Sequence, residues 1–203
     1  MLGAQKHPLR IAGFTLVEMM VVMAVLSILL AIAAPSLQIF MRNAQLRSVS
    51  ESLLVGINLA RSEAIRRNTQ VSFWIVTNVS ASCALTNRGG AWVVSQDNPA
   101  GSCDVAASLT AGPRIVQTHS GNDAMNGINV TAADSGGTPA SCITFNGFGG
   151  AEANCTGSLT SLKVINLDSE AGTRPLRIAV SGGSARLCDP SINDDTNPAS
   201  CPM

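Results

Sequence analysis

The chain has 203 residues with 13 basic and 13 acidic side chains, so its formal net charge is zero. This length suits one membrane element together with one domain that is large enough to bury a core. From residue 70 onward only six basic side chains stand against ten acidic ones, which argues against a polybasic surface for nucleic acid.

The N-terminus combines a basic segment with a long apolar run. Residues 1–13, MLGAQKHPLRIAG, have the character of a leader peptide. The next 27 residues, Phe14–Phe40, contain Glu18 as their only charge. As a helix this run would be about 40 Å long, enough to cross a hydrocarbon core of about 30 Å. Lys6 and Arg10 precede it, which predicts a cytoplasmic N-terminus with the rest of the chain outside.

An ordinary secretory signal is the alternative for this segment, since AIAAP at 31–35 resembles a cleavage site. The apolar run is longer than a typical signal core of about 7–15 residues. It also contains Glu18, and a carboxylate near the middle of a bilayer costs about 2.5–3.5 kcal/mol. Pro35 removes a backbone donor and is expected to kink the helix.

Helical periodicity continues beyond the apolar run, which predicts one long helix with an amphipathic second part. The apolar stripe at spacings of three and four consists of Leu46, Val49, Leu53, Ile57, Ala60 and Ala64. The charged side chains occupy other positions and are expected mostly to face solvent: Arg42, Arg47, Glu51, Arg61, Glu63, Arg66 and Arg67. Asn68 is expected to end the helix. The stripe needs a globular partner to cover it.

Eight short segments rich in Val and Ile predict that partner as a β-structure. They are 70–77, 90–96, 114–119, 127–132, 142–147, 161–168, 175–181 and 184–188. No helical stretch separates them, which predicts antiparallel pairing. Gly182 and Gly183 predict a two-residue hairpin turn between the last two. Segments 97–112 and 132–141 are expected to be flexible surface loops, and the tail after Cys188 is expected to be irregular.

The fold class that follows is α+β: a long N-terminal helix packed on antiparallel sheet, with a disulfide-stapled C-terminal region. The predicted divisions are a leader at 1–13, a transmembrane helix at 14–41, its amphipathic continuation at 42–68 and a β-rich domain at 69–203.

All six cysteines lie beyond residue 80, and none belongs to a C-x-x-C pair, so zinc-ribbon and thioredoxin interpretations have no support. An even number beyond a membrane helix indicates an oxidising compartment and disulfides; buried reduced thiols are the alternative. Six cysteines allow 15 connectivities. Our hypothesis is nearest-neighbour pairing: Cys83–Cys103, Cys142–Cys155 and Cys188–Cys201.

The stretch GFTLVE at 13–18, behind a basic leader, resembles the type IV prepilin signal. The resemblance implies that a prepilin peptidase cleaves after Gly13 and methylates Phe14, the new N-terminus. It also implies that Glu18 pairs with the N-terminal amine of a neighbouring subunit, which favours assembly and sets the axial register. Pro35 matches a proline that such helices often carry. The alternative for Glu18 is a bystander that snorkels to the membrane surface.

Further segments resemble the GspH/FimT family, which contains minor pilins of type IV pili and pseudopilins of type II secretion. They are NLARSEAIRRN at 58–68, ITFNGFGG at 143–150 and LRIAVSGGSARLCDP at 176–190. The ending R-L-C-D-P, with a further cysteine near the terminus, favours the pilus (FimT/FimU-like) branch. The resemblance implies a minor pilin that serves pilus biogenesis, with twitching motility, adhesion or DNA uptake as possible roles; a type II secretion pseudopilin is the alternative.

This family also implies partners and a location. The partners are the prepilin peptidase, other pilins or pseudopilins, and an inner-membrane assembly platform. Before assembly the chain would span the inner membrane once with its C-terminal domain in the periplasm; afterwards it would lie in a pilus or pseudopilus.

Some members of the FimT branch bind DNA through a G-R-x-R-like motif near the C-terminus. The corresponding stretch here, 183–186, has serine at the first arginine position and keeps only Arg186. Strong DNA binding is therefore not expected, because phosphate contacts supply most non-specific affinity. Arg174, Arg177 and Arg186 could still form a small local patch, although solvated charges on a strand face are the commoner explanation.

An enzyme has poor support in this sequence. Histidine is limited to His7 and His119, and tyrosine is absent. If His119 and Ser120 lie on a strand, they point to opposite faces and form no catalytic pair. No H-E-x-x-H motif, P-loop or metal-ligand spacing occurs. We therefore expect no catalytic residue, no metal and no cofactor.

Overall fold

The computed structural model describes residues 13–121, 127–169, 172–194 and 196–201. In this part of the chain one long helix, α1 (Leu16–Arg67), precedes ten strands. The strands are β1 Val71–Ile75, β2 Trp92–Ser95, β3 Ile115–His119, β4 Ile128–Ala133, β5 Cys142–Phe145, β6 Asn154–Cys155, β7 Leu159–Thr160, β8 Val164–Ser169, β9 Leu176–Ser181 and β10 Ser184–Cys188. The chain divides into two compact units, Met1–Phe40 and Met41–Met203.

The described part of the first unit is the apolar beginning of α1, whose side chains are all exposed. The helix continues through Pro35, and the kink predicted there stays a prediction. By length and composition α1 is the one described helix that could cross a membrane, and none of its most apolar stretch is buried within the protein.

The second unit has a core between the later part of α1 and antiparallel sheets. All six residues of the predicted apolar stripe are buried. Gly56 marks a close approach of helix to sheet, because a Cβ there would lie 2.7 Å from Phe73 Cε2 and 2.9 Å from Trp92 Cδ2. The indole Nε1 of Trp92 donates a hydrogen bond to Ser52 Oγ at 3.1 Å, which ties β2 to the helix.

Two four-stranded sheets form the β-structure, in the orders β3-β2-β1-β5 and β10-β9-β8-β4, and β6 pairs with β7 in a small third sheet. Every pairing between these strands is antiparallel. Residues of both four-stranded sheets, such as Ile143 and Ile165, belong to the same buried cluster as the stripe of α1. The fold is therefore the predicted α+β arrangement of a long helix on antiparallel sheet.

The outer face of the first sheet is also covered. β1 is buried at all five positions, with Phe73 in the core beneath α1 and Trp74 in a second cluster on the other side. This second cluster contains four of the six cysteines. Segment 97–112, predicted to be a flexible surface loop, contributes Cys103, which is only 1% exposed. The flexible-loop prediction is therefore wrong at this residue, because a disulfide holds it against the sheet.

The predicted end of α1 and the predicted hairpin turn both have the expected geometry. Asn68 follows α1 with a φ of 48°, and the N–H groups of Asn68 and Thr69 donate to the carbonyls of Ile65 and Ala64, both at 3.2 Å. This is the Schellman arrangement that closes a helix. At the predicted hairpin turn, the two glycines at 182 and 183 have positive φ angles and connect β9 directly to β10.

One strand pair and the environment of one charge cluster were not predicted from the sequence. The pair is β6–β7, which has only two residues per strand. The charge cluster is near the end of α1, where the side chains of Glu63 and Arg67 are each only 13% exposed and lie 2.6 Å apart. Arg66 also contacts Glu63 at 2.7 Å. Its hydrogen bond is the largest cause that lowers the pKa of Glu63; burial opposes this lowering and Arg67 adds to it.

Candidate processing and assembly site

The predicted cleavage residues lie immediately before α1. Gly13 and Phe14 have no regular secondary structure, and the helix begins at Leu16. Phe14 is 78% exposed. A peptide bond outside helical hydrogen bonding and without burial is open to a peptidase. The preceding leader, with Lys6, His7 and Arg10, lies outside the described residues.

Glu18 lies in the first turn of α1, where the sequence also encodes a helix cap. The backbone N–H of Glu18 donates to Thr15 Oγ1 at 3.2 Å. Threonine at the N-cap with glutamate three residues later is the capping-box pattern, and an acid in the first turn also favours the helix dipole. The pattern T-x-x-E at 15–18 is the sequence signal for this cap. Glu18 therefore has a local stabilising role in addition to any role in assembly.

The surface around Glu18 is apolar on all sides. The exposed large apolar side chains of this unit are Phe14, Leu16, Val17, Met19, Met20, Val21, Val22, Met23, Val25, Leu26, Ile28, Leu29, Leu30, Ile32, Leu37, Ile39 and Phe40. A helix that is apolar all round is stable when lipid or other helices cover it. The first unit thus requires a partner that the described chain does not supply.

Three disulfides hold the second unit. They join Cys83 to Cys103, Cys142 to Cys155 and Cys188 to Cys201, which are the pairs proposed from nearest-neighbour spacing. The third closes the C-terminal tail onto the end of β10. The tail is also held by the Asp189 N–H, which donates to the Ala199 carbonyl at 2.8 Å.

The three arginines of the proposed DNA patch have separate environments. Arg177 Nε donates to Asn166 Oδ1 at 2.8 Å, and the Arg186 guanidinium donates to the carbonyl of Ser200 in the tail. Arg174 instead lines a groove beside the beginning of the second unit's helical segment. Two of the three are therefore engaged by the chain's own oxygens, which gives no added support to a phosphate-binding surface.

His119 has a packing role. Its ring stacks on Trp92 with centroids 5.4 Å apart, and with Ser120 it lines a small cavity of about 170 Å³ next to the helix. Among the described residues, no group of three or more His, Cys, Asp or Glu side chains could hold a metal ion.

Comparison with known families identifies the class. Residues 9–34 match the prokaryotic N-terminal methylation motif, which covers Gly13, Phe14 and Glu18. With a long helix on antiparallel sheet, this motif defines a type IV pilin-like protein. Residues 49–184, well over half of the chain, match the model of Type II transport protein GspH. The chain belongs to the GspH family, as the resemblance to GspH/FimT proteins predicted. Its class includes minor pilins and pseudopilins.

Two solved structures are similar to this chain, and both are of the type IV minor pilin FimU from Pseudomonas aeruginosa strain PAO1. The crystal form in space group P21 is 17% identical, covers 77% of this chain and 97% of the FimU chain, and has a TM-score of 0.47. The form in P65 is 15% identical, covers 73% and 97%, and has a TM-score of 0.46. No curated protein sequence matches the chain significantly.

Proposed function

We propose that this chain is a minor pilin of a type IV pilus. It is cleaved between Gly13 and Phe14, methylated on the new N-terminus and assembled through the apolar part of α1. The observation that carries the proposal is Glu18, the only charge in the run Phe14–Phe40, in a unit whose described apolar side chains are all exposed.

The charge of Glu18 is less costly in an assembled fibre than in the lipid. In the lipid an isolated carboxylate costs up to about 2.5–3.5 kcal/mol, the value at the bilayer centre, and less towards the end of the apolar run, where Glu18 lies. Cleavage creates an ammonium group at Phe14, and the carboxylate of an incoming subunit pairs with that group on its neighbour. The apolar helices then bury against one another, so the helix gains cover and the charge gains a partner in the same step.

Before assembly, the proposed state is a single-pass inner-membrane protein with a cytoplasmic N-terminus and a periplasmic second unit. The three disulfides of that unit support an oxidising compartment. The proposed partners are the prepilin peptidase, an inner-membrane assembly platform and other pilins.

A pseudopilin of a type II secretion system is the second candidate, because the matching family is described as a type II transport protein. The two candidates share processing and assembly and differ in the machine they serve. Deletion of the gene separates them: loss of piliation supports the first, whereas loss of exoprotein secretion with normal pili supports the second.

Two measurements test the proposed assembly. Intact mass spectrometry should show a mature chain that begins at Phe14 and is about 14 Da heavier from one methyl group. The variants Glu18→Ala and Glu18→Gln should both be cleaved but fail to enter fibres. Glutamine is the matched control, because it fits the capping box as glutamate does and lacks the charge. Normal incorporation of Glu18→Gln would refute charge pairing, and a mature chain beginning near Pro35 would indicate ordinary signal cleavage.

A further inference from the structure

The second unit's helical segment begins with positive charge only. Glu18 and Arg42 enclose residues 19–41, which carry no charge. As a helix this uncharged stretch is about 34 Å long, close to the thickness of a hydrocarbon core of about 30 Å. The next acid after Arg42 is Glu51, so residues 42–50 contain two arginines and no carboxylate. The helix therefore leaves the apolar run through a short basic segment.

The fold brings a further arginine to this segment from a distant part of the chain. The backbone N–H of Arg174, between β8 and β9, donates to Asn43 Oδ1 at 3.0 Å across a separation of 131 positions. Arg47 and Arg174 line the same groove of about 430 Å³, and both residues are exposed, whereas Arg42 is partly buried. Two exposed guanidinium groups therefore lie at one groove, a few residues beyond the apolar run.

The groove combines this positive charge with apolar surface. Leu176 and Leu187 are partly exposed and belong to its lining. Asp189 is the acid in its lining, and Asp189 Oδ1 accepts hydrogen bonds from the N–H and hydroxyl groups of Ser191. Two arginines against one aspartate leave the lining net positive. A basic and apolar surface of this kind suits the boundary of a bilayer, where phosphate groups lie next to the acyl region.

We propose that Arg47 and Arg174 bind the phosphate group of an anionic phospholipid on the periplasmic side of the membrane. Arg47 follows Arg42 by five positions, or about 8 Å along a helix, and the polar layer of a bilayer is about 5–8 Å thick on each side. Side chains on a helix lean towards its N-terminus, which here is the side of the membrane. This inference rests on the proposed membrane state before assembly and adds a lipid contact of the second unit.

Glu51 competes with the lipid for Arg47. Arg47 Nε lies 2.9 Å from Glu51 Oε1, and the two side chains are 72% and 56% exposed. An exposed pair one helical turn apart favours its contact only about twofold, whereas one basic side chain near an anionic membrane surface gains about fivefold. The hydrogen bond to Glu51 also uses Nε, and a guanidinium group has further N–H donors on its two terminal nitrogens. The lipid contact therefore prevails.

The strength of this contact suits a subunit that must later leave the membrane. Two arginines that each gain about fivefold give a preference of about 25-fold for the anionic surface. Such a preference holds the second unit against the lipid most of the time, yet it is readily reversed. The contact therefore orients the subunit before assembly and ends when the helix moves into a fibre.

The first experiment measures lipid binding by the full chain in detergent micelles. Native mass spectrometry follows the fraction of chains that retain one phosphatidylglycerol molecule during a titration, with phosphatidylcholine as the uncharged comparison. Wild type should prefer phosphatidylglycerol. Arg47→Gln and Arg174→Gln should each weaken this binding about fivefold, which corresponds to about 1 kcal/mol for each basic side chain, and the double variant about 25-fold.

Arg66→Gln is the matched control. Arg66 is exposed on the same helix and contacts Glu63 at 2.7 Å, as Arg47 contacts Glu51. It lies 19 positions beyond Arg47, or about 28 Å along a helix, so its replacement should leave lipid binding unchanged. Replacing Arg47 and Arg174 together with lysine keeps both charges and should retain most of the affinity, because the surface attracts lysine and arginine alike.

The second experiment tests docking on a bilayer with the full chain in lipid nanodiscs. Energy transfer runs from the chain's two tryptophans, Trp74 and Trp92, to dansyl groups on the lipid headgroups. Transfer should be higher in mixed phosphatidylcholine and phosphatidylglycerol discs than in phosphatidylcholine discs. The double glutamine variant should lose this difference, and so should wild type in about 1 M salt, where the screening length is about 3 Å.

Three results would overturn the proposal. The first is equal transfer in both kinds of disc, and the second is an equal loss of lipid binding in Arg66→Gln. The third is displacement of the lipid by inorganic phosphate at an ionic strength at which chloride has no effect, because the groove would then be a site for a free anion.

Extraction of membranes at alkaline pH separates this proposal from the proposed function. If the full chain does not stay in the bilayer, the proposed membrane state fails and the lipid contact fails with it. If the chain stays but does not distinguish phosphatidylglycerol, the lipid proposal fails alone. The Glu18→Gln chain should be absent from fibres and still show the lipid preference of wild type.

Discussion

Gly56 is a position where the packing of α1 on the sheet is sensitive to a single added methyl group. We predict that Gly56→Ala destabilises the second unit by about 1–2 kcal/mol, although alanine is the better helix former. Two opposing effects determine this net value: the gain in helix propensity and the cost of steric overlap.

The gain is about 1 kcal/mol, which is the usual advantage of alanine over glycine inside a helix. The overlap is with Phe73 Cε2 at 2.7 Å and with Trp92 Cδ2 and Cε2 at 2.9 and 3.0 Å. Carbon atoms in ordinary contact are about 3.5–4.0 Å apart, so the helix and the rings must separate by nearly 1 Å.

Neither ring has room to retreat. Phe73 and Trp92 are 0% and 2% exposed, and their ring centroids are 5.9 Å apart. Trp92 is also held by its bond to Ser52 and by its stacking on His119. Overpacking of this kind costs about 1–3 kcal/mol, and the upper part of that range exceeds the gain in propensity.

The assay is urea unfolding of the unit from Met41 onward, followed by the fluorescence of its two buried tryptophans, Trp74 and Trp92. The matched control is Asn58→Ala, on the exposed side of the same helix, which should raise stability by a few tenths of a kcal/mol through propensity alone. A Gly56→Ala variant as stable as this control would show that the rings move freely, and the close approach would then carry no energetic weight.

Three further predictions concern the other parts of the second unit. Cys188→Ser opens a disulfide whose cysteines are 13 residues apart, so stability should fall by about 3 kcal/mol in urea. A protease that cuts at aspartate should then cleave the tail first, at Asp189 or Asp194. Asn68→Gly should be nearly neutral, whereas Asn68→Val should cost about 1–2 kcal/mol in the same assay, because φ is 48° there. The lowered pKa of Glu63 means that its contribution is fully present above its unfolded pKa of about 4.3 and is lost as the pH falls through the lower folded value. Glu63→Gln should therefore flatten the stability profile below about pH 4.

The elements that sequence could predict are those with a local period. The stripe from Leu46 to Ala64 follows the helical period and is buried throughout. Asn68 and the turn at 182–183 were also predictable, because positive φ angles favour asparagine and glycine. These signals involve residues close together in the sequence, so they can be predicted without a structure.

The pairing of distant strands was not predictable in the same way. β1 pairs with β5, so that Phe73 lies opposite Ile143, and β4 pairs with β8, so that Val130 lies opposite Leu167. Each pair joins segments separated by dozens of residues, and hydrophobic patterning sets which face is buried without naming the partner strand. The division into two sheets follows from these pairings and could not be deduced from local pattern.

The candidate sites also divide into features that depend on neighbouring residues and features that depend on contacts between distant segments. The segment 13–18 is predictable because its residues are contiguous, and it also contains the capping pattern of Thr15 and Glu18. The exposure of Phe148, which is 92%, could not be predicted from the sequence, because phenylalanine is among the residue types most often buried. Its exposure depends on how Asn146 and the end of α1 hold the loop, which are contacts between distant segments.

The first unit needs a partner to cover its apolar side chains, whereas the second unit has its own core. Because of this difference, a defect in assembly can be distinguished from a defect in folding. Among the described residues none before Leu46 is buried, so the core of the second unit begins there. Substitutions at Glu18 therefore remove nothing from that core, and they should leave the unfolding of the second unit unchanged. A Glu18→Gln chain that has a native second unit and is absent from fibres has lost assembly alone. A Gly56→Ala chain would show the reverse order of effects, because its defect begins in the core.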